Sequence, residues 1–244
     1  MNIDQKYIQV KYNNIEEIWS KDDSWHFYTF KKISNFIKTV FESFNIRENF
    51  VLLNAGSAGN DYNIKCNKHI HIDLAEQKVN TKEHFLVASI ENIPLEKNSV
   101  DCILCVGSVL NYTDAIQSIK EFQRTLKDTG YLIIEFENSY SFEYLFTKNF
   151  KKKADIVTTF YKNEEEKIWI YSYKLIEDIL ALNNFKILKK SNFHFISSLV
   201  YRISKNESFS SKFTFLDFLC KHIPILKNYS SNTILFCQKV SSIT

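Results

Sequence analysis

Apolar positions along the chain follow two rhythms. Short runs at 50–53, 69–72, 84–88, 100–106 and 131–136 are rich in Val, Ile, Leu and Phe and predict buried strands. Between and around them, apolar residues recur every three or four positions, the spacing of a helix with one buried face. The clearest case is 115–126, where Ile116, Ile119, Phe122 and Leu126 share a face. Thr113 or Asp114 can cap it, and Lys127-Asp128-Thr129-Gly130 closes it on a glycine. Residues 26–44 repeat the pattern with Phe27, Phe30, Ile33, Phe36, Ile37, Val40 and Phe44, and 173–182 with Leu175, Ile176, Ile179 and Leu180. Shorter helices are expected at 15–19, 74–81 and 141–146. Strands six and seven are expected at 185–188 and 233–237, and 137–169 reads as less regular. Strands alternating with helices predict an α/β fold: a doubly wound, mostly parallel seven-stranded sheet with helices on both faces.

The pattern shows no internal repeat, and residues 1–244 are expected to form one domain. Residues 1–49 read as an N-terminal helical extension or lid, with Trp19, Trp25, His26 and Tyr28 clustered in it. Residues 205–230 form an aromatic-rich insertion between the last two strands. Its apolar group of Phe213, Phe215, Leu216, Phe218 and Leu219 suits a buried helix, a dimer surface or a wall of a substrate pocket. Monomer and homodimer both stay open.

Composition narrows the function classes. The chain is 45% hydrophobic and 24% charged, which describes a globular protein. A net charge of +3 with no basic stripe gives no support to nucleic-acid binding. No apolar run reaches the length of a membrane span, and the N-terminus has no apolar signal segment. Five cysteines, irregularly spaced, argue for free thiols in a reducing cytoplasm. Cys102 and Cys105 form a C-x-x-C inside a strand, where residues three apart face opposite sides, so both are expected in the core.

Glycine changes the picture most. The chain has only 4 glycines, against a usual share of about 7%. Gly56 and Gly59 both fall in the loop Asn54-Ala55-Gly56-Ser57-Ala58-Gly59-Asn60, directly after the first strand. The next strand ends in Asp73. Strand, glycine turn, strand and acid is the arrangement that seats a nucleotide-like ligand over a parallel sheet. Between Gly59 and His69 at most two helical turns fit, so this crossover is unusually short.

Four blocks in order resemble the class I S-adenosylmethionine-dependent methyltransferases, in particular the broad methyltransferase-11 type. They are 51–59, 70–74 (Ile-His-Ile-Asp-Leu), 89–101 (from Ser89-Ile90-Glu91 to Val100-Asp101) and 121–134 (from Glu121-Phe122 to Ile133-Ile134). The likeness covers about 48–136 firmly and the C-terminal part loosely. It implies a Rossmann-like fold and S-adenosyl-L-methionine as cofactor. It further implies that Asn54, Ala55 and Gly56 pass under the methionine and ribose, and that Asp73 and Leu74 meet the ribose. Ser89 and Ile90 would meet the adenine, and Gly107 and Ser108 would lie under the methionine near the sulfonium. The chain departs from the pattern at Asn54, where the family has an acid. It departs also at Ala58 and Asn60, where the family has glycines, and at Ser89, where the family commonly has Asp.

The chemistry such a cofactor supplies is an activated methyl group, so the protein must align a nucleophile and exclude water. Tyr112, Glu137 and Tyr140, after strands four and five, are the favoured substrate contacts, and His194 on a late strand is a candidate base. Asn111-Tyr112 lacks the prolines of the Asn/Asp-Pro-Pro-Tyr wedge of base-methylating enzymes, and no Asp, Asn and His metal set is evident. These points favour an O- or N-methyltransferase acting on a small organic acceptor. A tRNA or protein methyltransferase, or a catalytically silent adapter on the same fold, is the alternative.

Overall fold

The computed structural model describes residues 3–241 apart from 47, 163, 222, 224 and 225. Helix α1 (Gln5–Asn14) starts where the Asp4 carboxylate accepts the N–H groups of Lys6 and Tyr7. The helix expected at 15–19 does not form. Ile15 is extended (φ −74°, ψ 119°), and the carbonyls of this stretch serve distant partners. Lys78 Nζ donates to Ile15 O, and Tyr161 Oη donates to Ile18 O at 2.9 Å. Helix α2 (Ser24–Ser43) follows, capped by Asp23.

The chain then runs through β1 (Val51–Ala55), β2 (Lys68–Asp73), α3 (Glu76–Val79), β3 (Phe85–Val87), β4 (Val100–Cys105), α4 (Ala115–Thr125) and β5 (Leu126–Glu137). After these come β6 (Ala154–Tyr161), β7 (Glu164–Tyr171), α5 (Tyr173–Leu182) and β8 (Phe185–Phe193). The last elements are α6 (Ile196–Ser204), α7 (Glu207–Ser211), α8 (Asp217–Lys221) and β9 (Asn232–Lys239). Seven strands form one sheet in the order β3-β2-β1-β4-β5-β9-β8. Only β9 runs antiparallel to its neighbours. Both faces are buried, as a parallel sheet requires. Ile33, Phe36, Ile37 and Val40 of α2 cover one face, together with Phe50, Phe193 and Phe236. Ile119 and Phe122 of α4 and Ile176 and Leu180 of α5 cover the other.

Other details bear on the sequence expectation, the short crossover among them. No helix joins β1 to β2. The connection is irregular, and Tyr62 in it stacks on Phe30 of α2 (5.8 Å), so an upstream helix does the covering. Glycine does not cap α4 in a left-handed turn. Leu126 already has extended geometry, and Thr129 is the residue at positive φ (63°). Gly130 is needed for space instead, because a Cβ there would lie 2.8 Å from Asp101 O on β4. Finally, the stretch read as irregular contains the β6–β7 hairpin, paired from Ala154↔Tyr171 to Tyr161↔Glu164.

Cys102 and Cys105 are buried in the two different cores, one on each sheet face. All five cysteines are free thiols. In the insertion, Phe215, Phe218 and Leu219 are exposed. No described helix is long and apolar enough to cross a membrane.

Candidate active site

Strand order reverses between β1 and β4, so their C-terminal ends diverge and leave a crevice. A cavity opens there. Its floor is Gly56, Ser57 and Ala58 after β1, Asp73 and Leu74 after β2, Ser89 and Ile90 after β3, and Gly107 and Ser108 after β4. Every one of these except Ser57 and Ala58 is a residue that the sequence nominated for the cofactor.

The loop after β1 is built to approach a ligand. Gly56 takes φ +71°, and a Cβ there would lie 2.3 Å from Val109 Cγ1. Gly59 takes φ +76°, and its Cβ would lie 2.3 Å from Lys78 O. Neither position has room for a side chain or the backbone geometry to carry one easily. Ala58 itself adopts φ +44°, so the missing second glycine of the pattern leaves the turn intact. Gly56 N–H donates to Ile72 O at 2.8 Å, tying the loop to β2. The Asp73 carboxylate continues that tie, with Oδ2 accepting Ala58 N–H (2.8 Å) and Oδ1 accepting Ala75 N–H (2.8 Å). Burial pushes this carboxyl above the ordinary carboxylate range, against the pull of those amides.

Asn54 and Ala55 lie beneath the loop, not on the cavity wall. Both are buried, and Asn54 Nδ2 donates to Asn60 O at 2.7 Å. Asn54 thus braces the turn from below. Glu135 braces the next loop. Its Oε2 accepts Gly107 N–H (2.9 Å) and Ser108 N–H (2.6 Å), while Oε1 accepts from Asn232 Nδ2 (2.7 Å).

Of the four substrate-side candidates, Tyr112 and Glu137 line the cavity. Tyr112 Oη donates to Glu166 Oε1 at 3.0 Å and lies 2.9 Å from Tyr12 Oη. Burial pushes the Tyr112 phenol well up, so it stays protonated. Burial, then Glu143, Glu135 and Glu166 nearby, push the Glu137 carboxyl well above its ordinary range. Tyr140 and His194 lie outside the cavity. Tyr140 sits near Lys151, whose Nζ is 5.9 Å from its ring centre. His194 is fully buried, stacked on Trp25 (3.8 Å), with Nε2 2.9 Å from Thr29 Oγ1 and Nδ1 3.1 Å from Ser197 Oγ. Burial keeps its ring neutral. With both nitrogens engaged inside the core, His194 positions Trp25 and cannot take a proton from a cavity ligand.

Beyond the extension or lid expected of residues 1–49, the rest of the wall was not assigned from the sequence. The N-terminal segment roofs the cavity through Ile8, Tyr12, Trp19, Trp25 and His26, and the hairpin adds Tyr161 and Glu166. Roof and hairpin are joined by a buried ion pair, Lys11 Nζ to Glu166 Oε2 at 2.8 Å. Glu143, Tyr201 and Glu207 close the far side. His26 Nδ1 is held by Asp23 Oδ2 at 2.8 Å, which leaves Nε2 as the ring nitrogen open to a cavity ligand. The clustering of Trp19, Trp25 and His26 was the one signal of this wall in the sequence. Glu166 was hidden inside a charged run that reads as a solvent-facing turn.

The sequence reading foresaw no metal-ligand set, but the fold gathers two groups with metal-binding reach: Asp61, His69 and His71, and Asp23, His26 and Glu207. In the first, Asp61 already pairs with Lys82 Nζ at 2.8 Å. In the second, the Asp23 carboxylate caps α2 and holds His26.

Comparison with known proteins places this geometry. Residues 60–134 match the family model described as a methyltransferase domain. An uncharacterized protein of Methanocaldococcus jannaschii is 28% identical over 103 residues, 40% of this chain and 45% of that protein. The chain spans about half the length of the curated relatives it matches. Among solved structures, an S-adenosylmethionine-dependent methyltransferase from Clostridium acetobutylicum superposes with a TM-score of 0.60 at 14% identity, over 87% of this chain and 92% of that one. The 1,6-didemethyltoxoflavin-N1-methyltransferase of Burkholderia thailandensis superposes with a TM-score of 0.57 at 10% identity, over 97% and 87%. Residues 60–134 are thus similar to a methyltransferase domain, and the chain has the fold of solved S-adenosylmethionine-dependent methyltransferases.

Proposed function

We propose that this chain transfers the methyl group of S-adenosylmethionine to an O or N atom of a small organic acceptor. The observation that carries the reading is the continuity of one cavity. Its floor has the glycine cradle and the Asp73 carboxylate, and its upper wall is aromatic and acidic. The floor fits the cofactor, because Gly56, Ser57 and Ala58 line it with little or no side chain, and Val109 leaves no room for a Cβ at Gly56. Asp73 would hold the ribose, Ser89 and Ile90 the adenine, and Gly107 and Ser108 the methionine part. When bound there, the cofactor supplies an electrophilic methyl carbon on a sulfonium.

The residues above that floor orient the acceptor and exclude water. Tyr112 and Glu137 face it, and α1 with the segment through Trp25 acts as a lid. Where the acceptor arrives protonated, His26 Nε2 takes the proton. Asp23 holds the Nδ1–H tautomer that leaves Nε2 as a base. The enclosure by roof and hairpin supports a small acceptor over a tRNA or a folded protein. The Burkholderia thailandensis neighbour, whose structure holds 1,6-didemethyltoxoflavin together with S-adenosylhomocysteine, gives the same direction.

Calorimetric titration of the purified chain with S-adenosylhomocysteine tests the reading. Saturable binding that Asp73→Ala weakens more than tenfold is expected. No binding by the intact chain would favour a silent adapter on the same fold.

A further inference from the structure

The cavity wall is charged in one sense only. Asp73, Glu137, Glu143, Glu166 and Glu207 all line it, and among the described residues no lysine or arginine does. This contrasts with the whole chain, where Lys and Arg (31) outnumber Asp and Glu (28). Two of the five carboxylates have work already. Asp73 holds backbone amides of the floor, and Glu166 is paired with Lys11. Glu137, Glu143 and Glu207 remain; among the described residues none of them has a Lys or Arg nitrogen within 4.0 Å, while His26 Nδ1 lies 4.0 Å from Glu207 Oε2 and Ser231 Oγ donates to Glu143 Oε2 at 3.2 Å.

These three are close enough to act on one another. Glu143 raises the carboxyl of Glu137, and Glu207 raises that of Glu143. Burial is the larger cause for each, and for Glu143 the result is a carboxyl pushed up to about 7. Arg202 and Lys205 pull the other way from outside the cavity, and Arg202 Nε is taken by Leu145 O at 3.0 Å. A second observation lies beside this space, next to Glu143 and behind the cavity wall. Tyr144 is 7% exposed and its hydroxyl has no hydrogen-bond partner, yet Glu143 and Glu137 act on it. An unpartnered hydroxyl beside uncompensated carboxylates is a costly arrangement unless a ligand completes it.

We propose that the acceptor subsite between Glu137, Glu143, Glu207 and the Trp25, Tyr161 and Tyr201 rings recognises a protonated amine, so that the methyl acceptor is a small amine. The inference rests on the methyltransferase reading of the same cavity. A cationic nitrogen lets carboxyls that burial holds protonated ionise beside it, and it is attracted to aromatic faces. S-adenosylmethionine brings one net positive charge of its own, from sulfonium and ammonium against one carboxylate, which leaves the site still acidic. The same wall repels phosphate and carboxylate acceptors, so a nucleic-acid backbone is a poor fit. The ammonium must lose a proton before its nitrogen has a lone pair to share. That proton passes to His26 Nε2, and the neutral nitrogen then forms the new N–C bond. The sulfur keeps the electron pair of the broken S–C bond and leaves as a neutral thioether.

The test compares benzylamine with benzyl alcohol, its neutral counterpart of similar shape, by titration at pH 7 into the full chain loaded with S-adenosylhomocysteine. At least tenfold tighter binding of benzylamine is expected. Glu143→Gln and Glu207→Gln should each reduce that preference to about threefold or less, with melting temperatures reported alongside to show that the variants fold. Equal affinity for the two probes, no detectable benzylamine binding, or a preference that survives both substitutions overturns the proposal. It is also overturned if S-adenosylmethionine alone feels the acids: it then binds more tightly than S-adenosylhomocysteine by a margin that Glu143→Gln removes, while benzylamine shows no advantage. Repeating the probe titrations on the chain without cofactor product separates the two readings. A chain that prefers benzylamine but never binds S-adenosylhomocysteine keeps the cation subsite and loses the methyltransferase reading.

Discussion

Asp73 Oδ2 accepts the Ala58 N–H at 2.8 Å, so the acid at the end of β2 and the glycine loop after β1 are one unit. Replacing Asp73 therefore loosens the loop that shapes the floor and, on the proposed function, removes a cofactor contact. Asp73→Ala is expected to weaken S-adenosylhomocysteine binding more than tenfold and to lower the melting temperature. Asp73→Asn keeps one acceptor oxygen and should retain most of the stability while losing affinity. A melting temperature equally low in both variants would show that the charge, not the geometry, holds the loop.

Gly56 faces Val109 with no room to spare. Gly56→Ala would bring Cβ to 2.3 Å from Val109 Cγ1, in a backbone region at φ +71° that costs an L-residue ~1–2 kcal/mol. The variant should be less stable and bind cofactor product poorly. Adding Val109→Ala should recover the steric part and leave the backbone part. Full recovery in the double variant, read by chemical denaturation, would mean that the positive φ costs nothing here.

How much of this was visible in the chain follows from where each residue finds its partner. Gly56, Gly59 and Asp73 were legible because their geometry is local: a strand, a turn, a strand. The sheet was legible for the same reason, since Leu52, Ile72 and Leu104 announce buried strands by composition alone. The upper wall was not. Glu166 sits in a run of three glutamates, and only the β6–β7 pairing turns it inward toward Lys11, far upstream in the chain. His194 misled in the opposite sense. A histidine on a late strand resembles a base until Trp25, Thr29 and Ser197 are seen to enclose it.

The Lys11–Glu166 pair has side chains only 1% and 4% exposed. Lys11→Met would leave a buried carboxylate without its partner, a loss of about 3–5 kcal/mol. The melting temperature should fall by roughly 2–4 °C for each kcal/mol in a chain of this size. Adding Glu166→Gln removes the stranded charge and should restore much of the loss. If the double variant is no better than Lys11→Met, the pair is not what secures the roof to the hairpin.

Acidity gives a further handle. Glu143 has an ordinary value of 4.5 and is pushed up to about 7 in the folded chain. Between those values the native state binds more protons than the unfolded one, so stability falls as pH rises through that window. Burial gives Glu137 and Glu207 raised carboxyls of the same sense. Glu143→Gln should therefore flatten the decline in melting temperature between pH 5 and pH 8 without abolishing it. An unchanged slope would assign the effect to the other raised carboxyls, among them Glu137, Glu207, Asp73, Glu135 and Asp217.

Helix α2 comes early in the chain, yet its apolar face packs against Phe193 of β8 and Ile234 and Phe236 of β9, the last strands made. On the ribosome, Ile33, Phe36, Ile37 and Val40 lack part of their cover until β8 and β9 have emerged. Strand β9 also enters the sheet between β5 and β8, so the sheet cannot be finished from one end. Order in the nascent chain thus arrives late and all together, and truncation before β9 should yield an aggregation-prone product instead of a smaller folded protein.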